Sequence, residues 1–128
     1  MDTMASAYTW SKFMARPLTV AAAQSGPIQK NDTRQEVVAR LCAMMNDASD
    51  AGADLVVFTE LALTTFFPRH YSEIHADMDI WFEKKMPNSA TQPLFQLAKE
   101  RNIGFYLGYA ELTTEGQHFN TSILVDKE

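Results

Sequence analysis

The sequence predicts an α/β fold, a mixed sheet flanked by helices. Three observations carry that prediction. Two short apolar runs of strand length, Leu18 to Gln24 and Leu55 to Phe58, are separated by a stretch with helical period. Two further helical stretches follow. Two strand-like runs then close the chain with a turn between them. The resulting order, β-α-β-α-α-β-β, puts helices on at least one face of a sheet.

Each element has its own reason. LTVAAAQ is a buried strand that stops at Ser25-Gly26-Pro27. Asn31-Asp32-Thr33 offers caps for the first helix, and Asp32 with Gln35 has capping-box spacing. Val37, Leu41, Met44 or Met45, and Ala48 recur on one helical face, and Gly52 is a natural stop. Leu55 to Phe58 is a second buried strand ending at Thr59-Glu60. Ile74, Met78, Trp81 and Phe82 share one face of an expected helix that Pro87 ends. Thr91 or Ser89 caps the next, with Pro93 in its first turn, Leu94, Phe95, Leu97 and Ala98 on its buried side, and Asn102-Ile103-Gly104 at its close. Ile103 to Leu112 and Phe119 to Val125 read as an antiparallel hairpin around Glu115-Gly116. That hairpin leaves an unprotected edge and one poorly covered sheet face.

Bulk properties exclude several classes. With 128 residues the chain is sized for about one domain. Its formal charge of −5 and scattered basic residues argue against nucleic acid and anionic membranes as partners. No apolar stretch approaches the roughly 20 residues that span a bilayer. Met1 to Phe13 lacks the continuous apolar core of a secretory signal. Residues 1–16 therefore read as a disordered tail, with Met14 as the expected start, and residues 17–128 as the folded part. Cys42 is the only cysteine, so no internal disulfide forms, which fits a cytoplasmic setting.

The stretch DLVVFTELALTTFFPR holds the strongest functional signal. Glu60 directly follows a strand expected to be central. In α/β sheets the ligand crevice lies at such carboxyl ends. A carboxylate partly withdrawn from water there suits general-base work, and a solvated strand end is the alternative. The runs LTVAAAQSGPI, GADLVVFTELALTTFFPR, IGFYLGYAEL and FNTSILVDK, in this order, resemble the nitrilase (carbon-nitrogen hydrolase) superfamily. ELALTTFFPR and FNTSILVDK are most similar to its N-carbamoyl-D-amino-acid amidohydrolase (D-carbamoylase) branch. The resemblance runs from Pro17 to Lys127.

The resemblance implies the N-terminal part of an α-β-β-α sandwich and a Glu-Lys-Cys triad that needs no cofactor or metal. It implies hydrolysis of the carbamoyl C–N bond of N-carbamoyl-D-amino acids to D-amino acid, ammonia and CO2. The thiolate attacks the carbonyl, the lysine stabilises the oxyanion, and Glu activates the water that follows. Glu60 matches the family's base. Thr59 stands where the family usually has Pro, which loosens the turn that aims Glu60. The matching positions for the lysine and the cysteine are expected beyond Glu128, so this chain by itself is expected to be inactive. Homo-oligomers are expected of the full-length form.

Lys127 belongs to the strand-end VDK and does not match the triad lysine. Cys42, mid-helix between Leu41 and Ala43, reads as a small buried hydrophobe. His70, His75 and His118 have no metal-ligand spacing and read as surface or loop residues. Phe66 and Phe67 are candidates for an apolar wall beside Glu60 that meets the substrate side chain, with core packing as the alternative. Asn120 is a candidate hydrogen-bonding support of the pocket. Arg69 reads as a surface ion-pair residue. The competing readings are another amidohydrolase of the superfamily (an aliphatic amidase, a nitrilase or a β-ureidopropionase) and a truncated, non-catalytic paralogue that binds ligand or a full-length partner.

Overall fold

The computed structural model describes residues 16–69 and 75–127, the side chains of 75–77 excepted. The expected tail, apart from Arg16, lies outside the described residues, as do His70, Ile74 and the side chain of His75. The elements are β1 (Val20–Ala23), α1 (Arg34–Asp50), β2 (Leu55–Phe58), α2 (Gln92–Arg101), β3 (Gly104–Leu112) and β4 (His118–Val125). Between β2 and α2 lie a 3-10 turn, Phe67–Arg69, and a 3-10 run, His75–Trp81. The sheet order is β1-β2-β3-β4, parallel for the first three strands and antiparallel for the last.

Helix α1 starts one residue later than the spacing of Asp32 and Gln35 suggested. Thr33 caps it: its Oγ1 accepts from the Glu36 backbone N–H, and the Glu36 carboxylate accepts in return from the Thr33 N–H. Asp32 is occupied elsewhere, accepting from the Gln29 N–H at 3.0 Å and from Arg40 at 3.1 Å. Val37, Val38, Leu41, Met45 and Ala48 form the buried face of α1. Helix α2 begins after Thr91 and ends at Asn102, whose φ of 51° lets the chain turn out of the helix.

The main core lies between one face of the sheet and the two helices. Val56, Phe58, Phe105, Leu107 and Tyr109 come from the sheet, and Leu41, Met45, Leu94 and Ala98 from the helices. On the opposite face, β-ladder partners place Ala22, Val57, Tyr106 and Leu124 in one row across all four strands. Val20, Tyr106 and Leu124 are exposed there, which bears out the expectation of a poorly covered face.

The expected α-helix around Met78, Trp81 and Phe82 is a shorter 3-10 run that stops at Trp81. The reason is a long-range pairing. Strand β2 is shorter than β3, so the outer end of β3 has no strand partner on that side. Glu83 takes the vacancy: its N–H donates to the Ala110 carbonyl at 2.7 Å, and its own carbonyl accepts from the Leu112 N–H at 3.0 Å. Closer to β2, the Ala62 N–H donates to the Gly108 carbonyl at 2.9 Å. The chain after β2 is thus held against β3 in steps.

At the other end of the sheet, Asp54 joins the two flanks. It accepts from the Thr19 N–H at 3.0 Å and from Lys127 Nζ at 2.9 Å. The Thr19 bond, and then Lys127, hold its carboxyl below the ordinary value. A lowered folded-state pKa means that this stabilisation is complete above the usual carboxylate range near pH 4 and is lost as pH falls through the lowered value. Urea midpoints at pH 7 and pH 3 are expected to differ more in the wild type than in Asp54→Asn. An equal difference in both would remove Asp54 from the acid response.

Among the described residues, no helix is long and apolar enough to cross a membrane.

Candidate active site

Strand β2 ends at Phe58 and Glu60 follows two residues later. The next residue, Leu61, has a φ of 49°. A left-handed leucine is unfavourable, so other contacts must hold it there. Two are visible. The Leu61 side chain is buried with Phe67 and Ala110, and the Ala62 N–H is tied to Gly108. The chain therefore reverses sharply after the carboxylate.

Gly108 lets this turn lie close against β3. A side chain on it would put a Cβ 3.3 Å from the Glu60 Cα and 3.5 Å from the Leu61 nitrogen. The loop carrying Glu60 rests directly on the bare backbone of β3. It does so on the face away from α1 and α2, because the β3 residues that meet the helices are Phe105, Leu107 and Tyr109.

The side chain of Glu60 is exposed rather than withdrawn from water. Asn120 Nδ2 donates to its Oε1 at 2.6 Å. Asn120 lies opposite Ala110 in the β3–β4 ladder, so the hairpin register delivers its amide to the carboxylate. The bridge separates two clefts, and Glu60 and Asn120 border both. One is apolar, with Leu61, Phe67, Phe82 and Ala110. The other is more polar, with Tyr106, Gly108, Thr121 and Ser122. Behind Glu60, Thr59 Oγ1 and Ser25 Oγ are 3.3 Å apart. A hydroxyl contact thus links the loop after β1 to the residue that precedes Glu60.

The sequence-predicted residues divide. Asn120 and Phe67 come to Glu60. Phe67 stacks on Trp81 with ring centroids 5.5 Å apart and meets Phe82 at 5.1 Å. Phe66 is exposed and borders neither cleft. Arg69 ends the 3-10 turn and is exposed. Lys127 pairs with Asp54 before β2 begins, whereas Glu60 follows its end. Cys42 is half-buried on α1 against the helix-side core, and burial pushes its thiol up, the opposite of what an active nucleophile needs. His118 is not a simple loop residue. It opens β4, its Nε2–H donates to Asp79 Oδ1 at 2.7 Å, and its ring meets Phe82 edge-on at 4.5 Å. Among the described residues no group of His, Cys, Asp or Glu converges as a metal site.

Nothing in the sequence marks Gly108 or Ala110 as part of a site, and Phe82 reads there only as part of a helical face. Alternation along the hairpin is the signal that could have found the first two, since both lie on the same face as Asn120.

A family model described as carbon-nitrogen hydrolase matches residues 19–128. The fold is similar to that of an N-terminal amidase solved with a Gln-Val peptide, with a TM-score of 0.67 and 18% identity over 86% of this chain and 25% of that one. A carbon-nitrogen hydrolase from Helicobacter pylori G27 gives 0.65 and 17%, over 86% of this chain and 36% of that one. A glutamine-dependent NAD+ synthetase from Acinetobacter baumannii gives 0.56 and 23%, over 84% and 18%. The chain thus spans about a quarter of the length of the N-terminal amidase it matches. The four-stranded mixed sheet, its helices and the match along nearly all of the chain lead to one conclusion: the chain belongs to the carbon-nitrogen hydrolase family.

Proposed function

We propose that this chain carries the general base of an amidohydrolase that cleaves the carbamoyl C–N bond of N-carbamoyl-D-amino acids. The observation that carries the reading is the Glu60 carboxylate, held by Asn120 at the junction of a polar and an apolar cleft. The D-carbamoylase assignment within the family rests on ELALTTFFPR and FNTSILVDK.

In this reading the ureido group lies on the polar side of Glu60. A thiolate adds to the carbonyl, ammonia leaves with a proton, and a carbamoyl thioester remains. Glu60 then takes a proton from water, whose oxygen attacks the thioester. The resulting carbamic acid loses CO2 to give the D-amino acid. Asn120 does no proton chemistry. It fixes one carboxylate oxygen and leaves Oε2 for the proton. Neither Cys42, on the helix-side core, nor Lys127, paired with Asp54, reaches this place, so neither is the thiolate or the oxyanion-stabilising lysine of this reading.

The test is ammonia release by the longest polypeptide that the reading frame encodes, offered an N-carbamoyl-D-amino acid, the corresponding amide and the corresponding nitrile. The carbamoyl compound is expected to give the highest kcat/KM. Faster turnover of the amide or nitrile would move the chain to another branch of the family. Binding of the carbamoyl compound without ammonia release would favour the non-catalytic reading.

A further inference from the structure

The apolar cleft has no part in the proton chemistry just described. Its size and lining nonetheless fit one piece of an amino-acid substrate. It measures about 220 Å³. A dry apolar cavity of about 150 Å³ accommodates benzene, so a phenyl or isobutyl group fits here. Leu61, Phe67 and Ala110 are its buried residues, and Phe82 supplies a further aromatic wall. The charged or chargeable groups at its edge are Glu60 and His118, and each already has a partner, Asn120 and Asp79 respectively.

We infer that this cleft receives the side chain of the substrate, that it selects apolar side chains up to about the size of a phenyl ring, and that Ala110 sets the upper limit. The inference rests on the proposed function above and adds a specificity-determining residue to it. An acidic substrate side chain would lie among apolar groups with no cation in the lining other than His118, which is already engaged with Asp79, and this is costly. It would also face the Glu60 carboxylate.

Ala110 is the smallest side chain of the lining, and it is almost fully buried. Its backbone is pinned twice. It pairs with Asn120 in the hairpin ladder, and its carbonyl accepts from the Glu83 N–H. The strand therefore has little freedom to retreat, and extra carbons at this position grow into the cleft. Position 110 also lies directly opposite the residue that orients Glu60. Side-chain fit and the placement of the ureido group are thereby set from neighbouring positions of one strand pair.

The test is a titration of the isotope-labelled 128-residue chain, followed by NMR, with N-carbamoyl-D-phenylalanine and N-carbamoylglycine. The phenylalanine compound is expected to shift the signals of Ala110, Phe82 and Asn120 and to bind at least about tenfold more tightly than the glycine compound. In Ala110→Leu the ratio of the two affinities is expected to fall to near one. Ala110→Val, a smaller change, is expected to lower it partway and serves if the leucine variant does not fold. Equal affinities in the wild type, shifts confined to residues away from the cleft, an unchanged ratio in the variants, or no binding of either compound would each overturn the inference. N-acetyl-D-phenylalanine separates this inference from the function it rests on. If it binds as well as the carbamoyl compound and shifts the same signals, the side-chain cleft stands and the carbamoyl reading falls.

Discussion

Replacing Glu60 with glutamine is expected to lower kcat/KM for an N-carbamoyl-D-amino acid about a thousandfold in the longest polypeptide that the reading frame encodes, in the range found when a general base is removed. Glutamine has the same shape but cannot take up the proton. Its carbonyl oxygen can still accept from Asn120 Nδ2, so the bridge across the two clefts survives the change. Glu60 is exposed, and exposed substitutions of this kind shift stability by no more than about 0.5 kcal/mol. The thermal unfolding midpoint is therefore expected to stay in place while ammonia release falls. A variant within tenfold of the wild type would remove Glu60 from the chemistry.

The largest effect on stability is expected at Glu83. Glu83→Ala is expected to cost about 3 kcal/mol, the lower end of the range for breaking a buried ion pair from one side. The carboxylate is buried. Its Oε1 lies 2.5 Å from Arg34 Nε, an ionic contact rather than an aligned hydrogen bond. Its Oε2 accepts from Asn88 Nδ2 at 2.7 Å. Arg34 in turn donates to the Leu63 carbonyl at 2.6 Å and to the Ile80 carbonyl at 3.3 Å. One ion pair thus joins the first turn of α1, the loop that follows Glu60, and the 3-10 run. Alanine leaves the guanidinium partly buried without its counter-charge. Arg34→Met removes that charge and supplies apolar packing, so the double variant is expected to be less destabilised than the sum of the two single changes. Urea unfolding of the four proteins checks this. A loss below about 1 kcal/mol for Glu83→Ala would show that the pair is solvated in practice.

Much of this fold was legible because its signals are local. LTVAAAQ and DLVVF are too short for helices and are bounded by turn residues, so β1 and β2 could be read directly. The period of Val37, Leu41, Met45 and Ala48 did the same for α1. The hairpin showed in two runs separated by Glu115-Gly116. What could not be read depends on partners distant in sequence. Met78, Trp81 and Phe82 have helical spacing, yet Glu83 is drawn into pairing with β3, and the helix gives way to a 3-10 run. Asp32 has capping-box spacing but is held by Gln29 and Arg40, so the cap moves to Thr33.

The candidate site follows the same division. Glu60 stood out because a carboxylate ends a buried strand. Asn120 was marked by its motif alone, and its contact with Glu60 across 60 positions depends on the β3–β4 register. Phe66 and Phe67 could not be told apart in the sequence. The 3-10 turn that begins at Phe67 turns one ring inward against Trp81 and Phe82 and leaves the other exposed. Gly108 carries no side chain to suggest a role, and its function lies in what it lets approach.

The most direct test of the account is a double-mutant cycle at the Glu60–Asn120 bridge, read as kcat/KM for N-carbamoyl-D-phenylalanine. If Asn120 acts only by positioning the base, Asn120→Ala slows the wild-type enzyme but adds nothing once Glu60 is glutamine. The account predicts that Glu60→Gln and the double variant have the same residual rate. Losses that add in full, or a Glu60→Gln enzyme that retains its activity, would contradict it.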